Sequence, residues 1–134
     1  DNIKEYKKEY FQKNKDKSIE YQKEYNKNRR KGDYLFKLRG NISCLIGASI
    51  RNQGYTKRSK TYKILGCTFE EFKEHLEKQF TKGMTWENQG EWHLDHIYPV
   101  SLAKDEKHLI ELNHYTNFQP LWAIDNIIKG NKIL

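Results

Sequence analysis

Residues 92–100 read WHLDHIYPV and set one carboxylate and two imidazoles, His93, Asp95 and His96, in a run that is otherwise apolar and strand-like. Asp95 and His96 put an acceptor-only group beside a base whose ordinary pKa, about 6.5, lets it take or give a proton near neutral pH. Polar groups in a segment that wants burial are either solvated at a strand edge or engaged in holding something. Two later stretches bring more such side chains at short intervals, NHYTNFQPLW at 113–122 and AIDNIIKGNK at 123–132.

The elements that must position these residues follow from periodicity. After Gly90 the pattern is extended, with Trp92, Leu94 and His96 on one face and His93, Asp95 and Ile97 on the other, and Pro99 limits the strand. Residues 101–112 suit a short helix or an ordered loop, and 113–122 a returning strand or loop. A closing helix then runs to a stop at Gly130. Upstream, Thr68 with Glu71 forms a capping box that satisfies two helix-start amides. Phe69, Phe72, Leu76 and Phe80 line one face of that helix, Gly83 suits its exit, and His75 reads as a surface or packing histidine.

Between Tyr34 and Ile50, the spacing of Leu35, Leu38, Ile42, Leu45 and Ile46 predicts an amphipathic helix against the core, bounded with the help of Gly47 and Gly54. The next segment, RNQGYTKRSKTYK, reads as an exposed connector. Its Arg51, Lys57, Arg58, Lys60 and Lys63 meet no acid, so they serve either solubility or contact with phosphates. The first stretch contains a 15-residue echo, EYKKEYFQKNK at 5–15 and EYQKEYNKNRR at 20–30. On one continuous helix, Ile3, Tyr6, Tyr10, Tyr21 and Tyr25 would fall within an arc of roughly 100°, ringed by lysines. That is a solvated helix whose tyrosines pack nearby, a basic arm along a phosphate backbone, or both.

The 134 residues amount to one ordinary domain, with 36% hydrophobic and 32% charged residues. The net charge of +7 is unevenly spread. Residues 1–32 carry 11 Lys or Arg against 6 acids, 33–64 carry 7 against 1, and 65–134 carry 7 against 11. The composition thus separates a basic Tyr/Lys-rich arm (1–32), an amphipathic helix with a basic connector (33–64) and an acidic C-terminal module (65–134). Such asymmetry hints at nucleic-acid or membrane-surface contact, and no apolar run approaches the ~18 residues that a membrane span needs. No signal peptide opens the chain, and Asp1 in place of an initiator methionine predicts a fragment. Cys44 and Cys67 allow at most one disulfide and read most simply as thiols of a reducing, intracellular compartment.

HLDHIYPVS, NHYTNFQPLW and AIDNIIKGNK, in that order, resemble the His-Asn-His (HNH) endonucleases, whose ββα-metal fold sets two strands and a helix around one divalent metal. The resemblance is closest to the phage and large-virus branch with a lysine- and tyrosine-rich arm. It covers roughly 60–130 by motif and 1–59 by composition alone. It implies an α+β, mainly helical fold: a ββα-metal nuclease module preceded by basic N-terminal helices.

The same resemblance assigns roles. It makes Asp95 a metal ligand, His96 the general base, Asn117 a brace of the loop between strand and helix, and Asn126 the second protein ligand. One carboxylate and one amide oxygen form a hard, oxygen-only set suited to Mg²⁺ or Mn²⁺. The expected activity is hydrolysis of phosphodiester bonds in duplex DNA, leaving 5′ phosphate and 3′ hydroxyl ends. Lys129, one turn after Asn126, would touch a phosphate or be an ordinary solvated lysine. His93 would face the substrate or sit at a strand edge, and His114 would support the DNA or the site, or be structural.

Two departures stand out. Asparagine occupies the last motif position, and the Cys-x-x-Cys pairs that bind structural zinc in many relatives are missing, so no structural zinc is expected and Trp122 is expected to fill the core instead. The rival readings are a DNA-binding module with an inactive or regulatory centre, and a basic packaging protein. Cleavage of both strands by one-metal sites would favour a dimer or two sequential nicks.

Overall fold

Architecture is taken from a computed structural model, which describes residues 2–133. It is an α+β fold, mostly helical, with six α-helices and a two-stranded antiparallel sheet among the described residues. Two compact units divide the chain, one running through Lys37 and the other from Leu38. None of the described helices is long and apolar enough to cross a membrane.

The first unit is dominated by α1 (Asn2–Gly32). The arm is one continuous helix, and Ile3, Tyr6, Tyr10, Tyr21 and Tyr25 all stand in solvent. Ties one turn long run along it, Gln12 to Asp16, Gln22 to Asn26, and Tyr21 stacked on Tyr25, and near its end the Arg29 guanidinium lies over the Phe36 ring at 4.2 Å. Asp33 follows and caps α2 (Tyr34–Asn52), accepting the Phe36 amide at 3.0 Å and Arg29 Nε at 3.3 Å. The Phe36 amide, aided by Arg29, holds the Asp33 carboxyl below its ordinary pKa.

The second unit has one core. Leu38, Ile42, Ile46 and Ile50 recur every four residues and turn one stripe of α2 inward, with Leu45 partly buried beside them. They meet Ile64 and Leu65 of α3 (Thr61–Leu65), Phe72 and Leu76 of α4 (Phe69–Glu77), Leu109 of α5 (Glu106–Glu111) and Phe118. Residues 38–64 and 65–134 therefore share a core, although their surface charge differs in sign. The charge step is a property of the exterior and the core crosses it.

Gly47 is not a boundary of α2, which continues to Asn52. It is buried mid-helix, where a Cβ would come within 2.8 Å of the Arg51 guanidinium. The connector is also less exposed than its composition predicts. Tyr55 packs on the core, Thr61 is buried, and the Lys57 ammonium donates to Thr61 Oγ1 at 2.6 Å. Thr68 caps α4 by accepting the Glu71 amide at 3.1 Å, but the Glu71 carboxylate takes the Thr68 hydroxyl instead of closing the box on a second amide.

α4 ends at Glu77, so Phe80 and Gly83 lie beyond it and Gly83 is not its exit. What draws the chain onward is an aromatic cluster: Phe80, Trp86 and Trp92 have ring centroids 5.1–5.5 Å apart. Trp92, fully buried, opens β1 (Trp92–His96) and donates its indole N–H to Thr85 O and Asn88 Oδ1. The expected filling of the core by Trp122 is thus corrected: Trp122 is only half-buried against Gly83, and Trp92 occupies the interior.

β1 pairs antiparallel with β2 (Phe118–Trp122), Asp95 opposite Gln119 and His96 opposite Phe118. α6 (Ala123–Lys129) follows directly and stops at Gly130, whose φ of 53° lies in the left-handed region.

Candidate active site

β1, the segment that follows it and α6, with Leu45 of α2, line a cleft of about 230 Å³ bordered by Asp95, His96, Pro99, Asn126 and Lys129. Asp95 is 7% exposed and Lys129 2%. The Gln119 side-chain amide, opposite it in the strand register, donates to Asp95 Oδ2 at 2.9 Å. The Lys129 ammonium lies 3.4 Å from each carboxylate oxygen and donates to the His96 carbonyl at 2.9 Å. One cation at the end of α6 therefore clamps both residues of the Asp-His pair.

Lys129 is therefore not an ordinary solvated lysine, although it borders the cleft. Lysine is exposed by default, but here packing of α6 on β1 turns the ammonium inward, where the carboxylate and the carbonyl compensate the cost of burying it.

His96 is equally enclosed. Its ring packs on Phe118 with centroids 4.5 Å apart, and Nε2 lies 2.8 Å from Asn113 Oδ1. Burial pushes the imidazole below its ordinary pKa, and Lys129 adds to this against the opposing pull of Asn113 and Asp95. His96 therefore stays neutral, and able to accept a proton, at neutral pH.

Asn117 forms a brace. Its Oδ1 accepts the Tyr98 amide at 2.9 Å, and its Nδ2 donates to Tyr98 O and Leu112 O at 3.0 and 2.8 Å. These bonds tie the exit of β1 to the entry of β2. Asn126 reaches the cleft, whereas His93 and His114 do not line it. His93 is exposed on the strand opposite Leu121. His114 caps a 3-10 turn through Thr116, and a Cβ on Gly66 would strike its ring at 2.6 Å. With φ at 81°, Gly66 both turns the chain and makes room for that ring.

Arg51, Arg58, Lys60 and Lys63 are exposed, and Lys57 is half-buried on Thr61. Both cysteines are free thiols, Cys44 exposed and Cys67 partly buried. Burial, with the nearby Glu71, pushes the Cys67 thiol up to about 11.

Asp95 and Asn126 offer a hard, oxygen-only pair on one cleft, which suits in kind an ion such as Mg²⁺ that keeps most of its water. No group of three His, Cys, Asp or Glu gathers among the described residues. The Lys129 ammonium already compensates the one carboxylate on that cleft.

Three participants escape a reading of the sequence: Gln119, Asn113 and Ser49. Gln119 becomes visible once the strand register is known. Asn113 sits in the same short segment as Asn117, yet nothing in its spacing singles it out. Ser49 is one polar residue on the buried stripe of α2.

No family model matches the chain, and no solved structure gives a significant match. It is similar to two proteins of Acanthamoeba polyphaga mimivirus. Uncharacterized protein L426 is 33% identical over 111 residues, covering 81% of this chain and 48% of the relative. Uncharacterized protein L246 is 33% identical over 139 residues, covering 90% and 58%. The chain spans about half the length of these curated relatives.

Proposed function

We propose that this protein is a metal-dependent DNA endonuclease of the His-Asn-His kind, with β1, β2 and α6 serving as a ββα-metal module. The observation that carries the reading is the buried His96 imidazole bordering one cleft with the Asp95 carboxylate and Asn126. Asp95 and Asn126 would hold Mg²⁺ or Mn²⁺. When bound, the ion neutralises charge on the phosphate and stabilises the departing 3′ oxygen.

The rest falls to the chain. His96 takes the proton from the water that attacks phosphorus, and the product ends are a 5′ phosphate and a 3′ hydroxyl. Asn117 holds the strand exit so that His96 keeps its place. Arg51, Arg58, Lys60 and Lys63, with the lysines of α1, bind the duplex backbone, so affinity falls steeply with salt.

Supercoiled plasmid incubated with Mg²⁺, with EDTA, and with a His96→Ala variant tests this. Nicking should need Mg²⁺ and drop by about 10²–10⁴-fold in the variant. Cleavage that survives EDTA or the alanine change would sink the mechanism.

A second reading is favoured by one observation, the Lys129 ammonium on Asp95. A carboxylate with a built-in counter-ion suits a non-cleaving DNA-binding or packaging protein as well. Such a protein would bind DNA with the same salt dependence and be indifferent to Mg²⁺.

A further inference from the structure

The hydrogen bonds behind His96 can be followed proton by proton. The single Ser49 hydroxyl hydrogen has Ile46 O at 2.8 Å and Asn113 Oδ1 at 3.3 Å within reach; the shorter contact takes it, so the Ser49 oxygen is left to accept. Asn113 Nδ2 donates to that oxygen at 3.0 Å and to Leu109 O at 3.2 Å. A backbone carbonyl can only accept, so Leu109 O fixes which end of the Asn113 amide carries the nitrogen. Oδ1 is therefore the atom that faces His96, and at 2.8 Å only a ring nitrogen bearing hydrogen can meet it. Asn113 is fully buried and Ser49 is 8% exposed, so water does not compete for these groups.

We infer that Asn113, anchored by Ser49, is the positioning residue of the catalytic base, holding His96 with hydrogen on Nε2 and the lone pair on Nδ1. Nδ1 has no hydrogen-bond partner among the described residues, and His96 borders the cleft. Without Ser49, Leu109 O alone would hold the amide against turning over, and in any turned-over fraction its nitrogen would face the ring and Nε2 would become the acceptor. The wrong nitrogen would be basic. The inference rests on the endonuclease reading for its catalytic meaning, but the ring's protonation pattern is measurable without any cleavage.

The test uses the full chain with ¹⁵N-labelled histidine, in wild type, Asn113→Ala, Asn113→Asp and Ser49→Ala. Long-range ¹H–¹⁵N spectra at pH 8 should show His96 with hydrogen on Nε2 in wild type. Asn113→Ala should give a mixture of the two forms and lower kcat by about 10–100-fold with KM little changed, the usual cost of removing an orienting partner. Asn113→Asp keeps an acceptor facing the ring and should restore the Nε2–H form. Ser49→Ala removes one of the two acceptors that hold the Asn113 nitrogen and leaves Leu109 O, so it should give a smaller shift in the same direction, and it decides the matter if the Asn113 variants do not fold.

Hydrogen on Nδ1 in wild type overturns the proposal. So does a folded Asn113→Ala or Ser49→Ala chain whose His96 spectrum and kcat are unchanged. If wild type shows Nε2–H but cuts no DNA with any divalent metal, the endonuclease reading fails while the positioning of His96 stands. If it cuts DNA with hydrogen on Nδ1, the reverse holds.

Discussion

The two compact units treat charge in opposite ways. Along α1 the described ionic side chains stay in solvent, and polar contacts lie one turn apart, as between Gln12 and Asp16. Exposed contacts of that kind add little in water and let the side chains move to another partner. In the second unit Asp95 and Lys129 are withdrawn from solvent and fixed by Gln119 and a backbone carbonyl. There the cost of leaving either charge alone commits it to its partner. A lysine of the arm can bind a phosphate, whereas Lys129 is spent on a carboxylate.

Breaking the buried pair should give the largest effect. Lys129→Ala leaves Asp95 uncompensated and should cost about 3–5 kcal/mol, read as a lower urea midpoint. Removing both charges, with Asp95→Ala added, should recover much of that loss. A double variant as unstable as the sum of the singles would show that the two are not coupled.

Deleting residues 1–32 sharpens the contrast from the other side. No described side chain of the arm belongs to the core, so the urea midpoint of the remaining chain should fall only slightly, through loss of Arg29 from Asp33 and Phe36. The slope of log affinity against log salt for duplex DNA should flatten by about 0.9 for each phosphate that the arm neutralises in the intact protein. An unchanged slope would show that the arm is a bystander.

The pH response should be intermediate in size. Because folding lowers the His96 pKa, the unfolded chain holds its proton more tightly. The His96 contribution to stability is therefore fully present above pH about 6.5 and is lost as pH falls below it. The acidic limb of kcat/KM should lie below that same value, and a limb at or above 6.5 would contradict the environment seen around His96.

The smallest effect concerns the thiols. At pH 8 a thiol reagent should modify exposed Cys44 well before Cys67, whose pKa of about 11 leaves little thiolate. Equal rates would mean that the Cys67 side of the core opens easily.

Much of the framework was legible in the sequence, because helices that cover a core and strands that enter one carry the period of their own geometry. The stripe of α2, the Thr68 cap, the Trp92–His96 strand and the Gly130 stop are of that kind. Gly47 was misleading because a glycine marks either an end or a close approach, and only the Arg51 side chain decides which. The burial of Lys129 was not legible because it depends on how α6 lies on β1, which no local spacing encodes. The segment at 113–122 holds two bonding asparagines. The family pattern points to Asn117, while Asn113 acquires its partners from α2 and β1, far away in sequence.

That distance has a consequence for the life of the protein before it is complete. Ser49 and Asn113 are 64 residues apart, while β1 and β2 are near neighbours in the chain. Short loops close at less entropic cost than long ones, so a growing or partly folded chain can pair its strands before α2 is seated. In such a chain His96 lacks the Ser49 support that sets its ring. If His96 is the base of a nuclease, a chain caught with its strands paired and α2 unseated would hold the cleft residues without the support that orients that base.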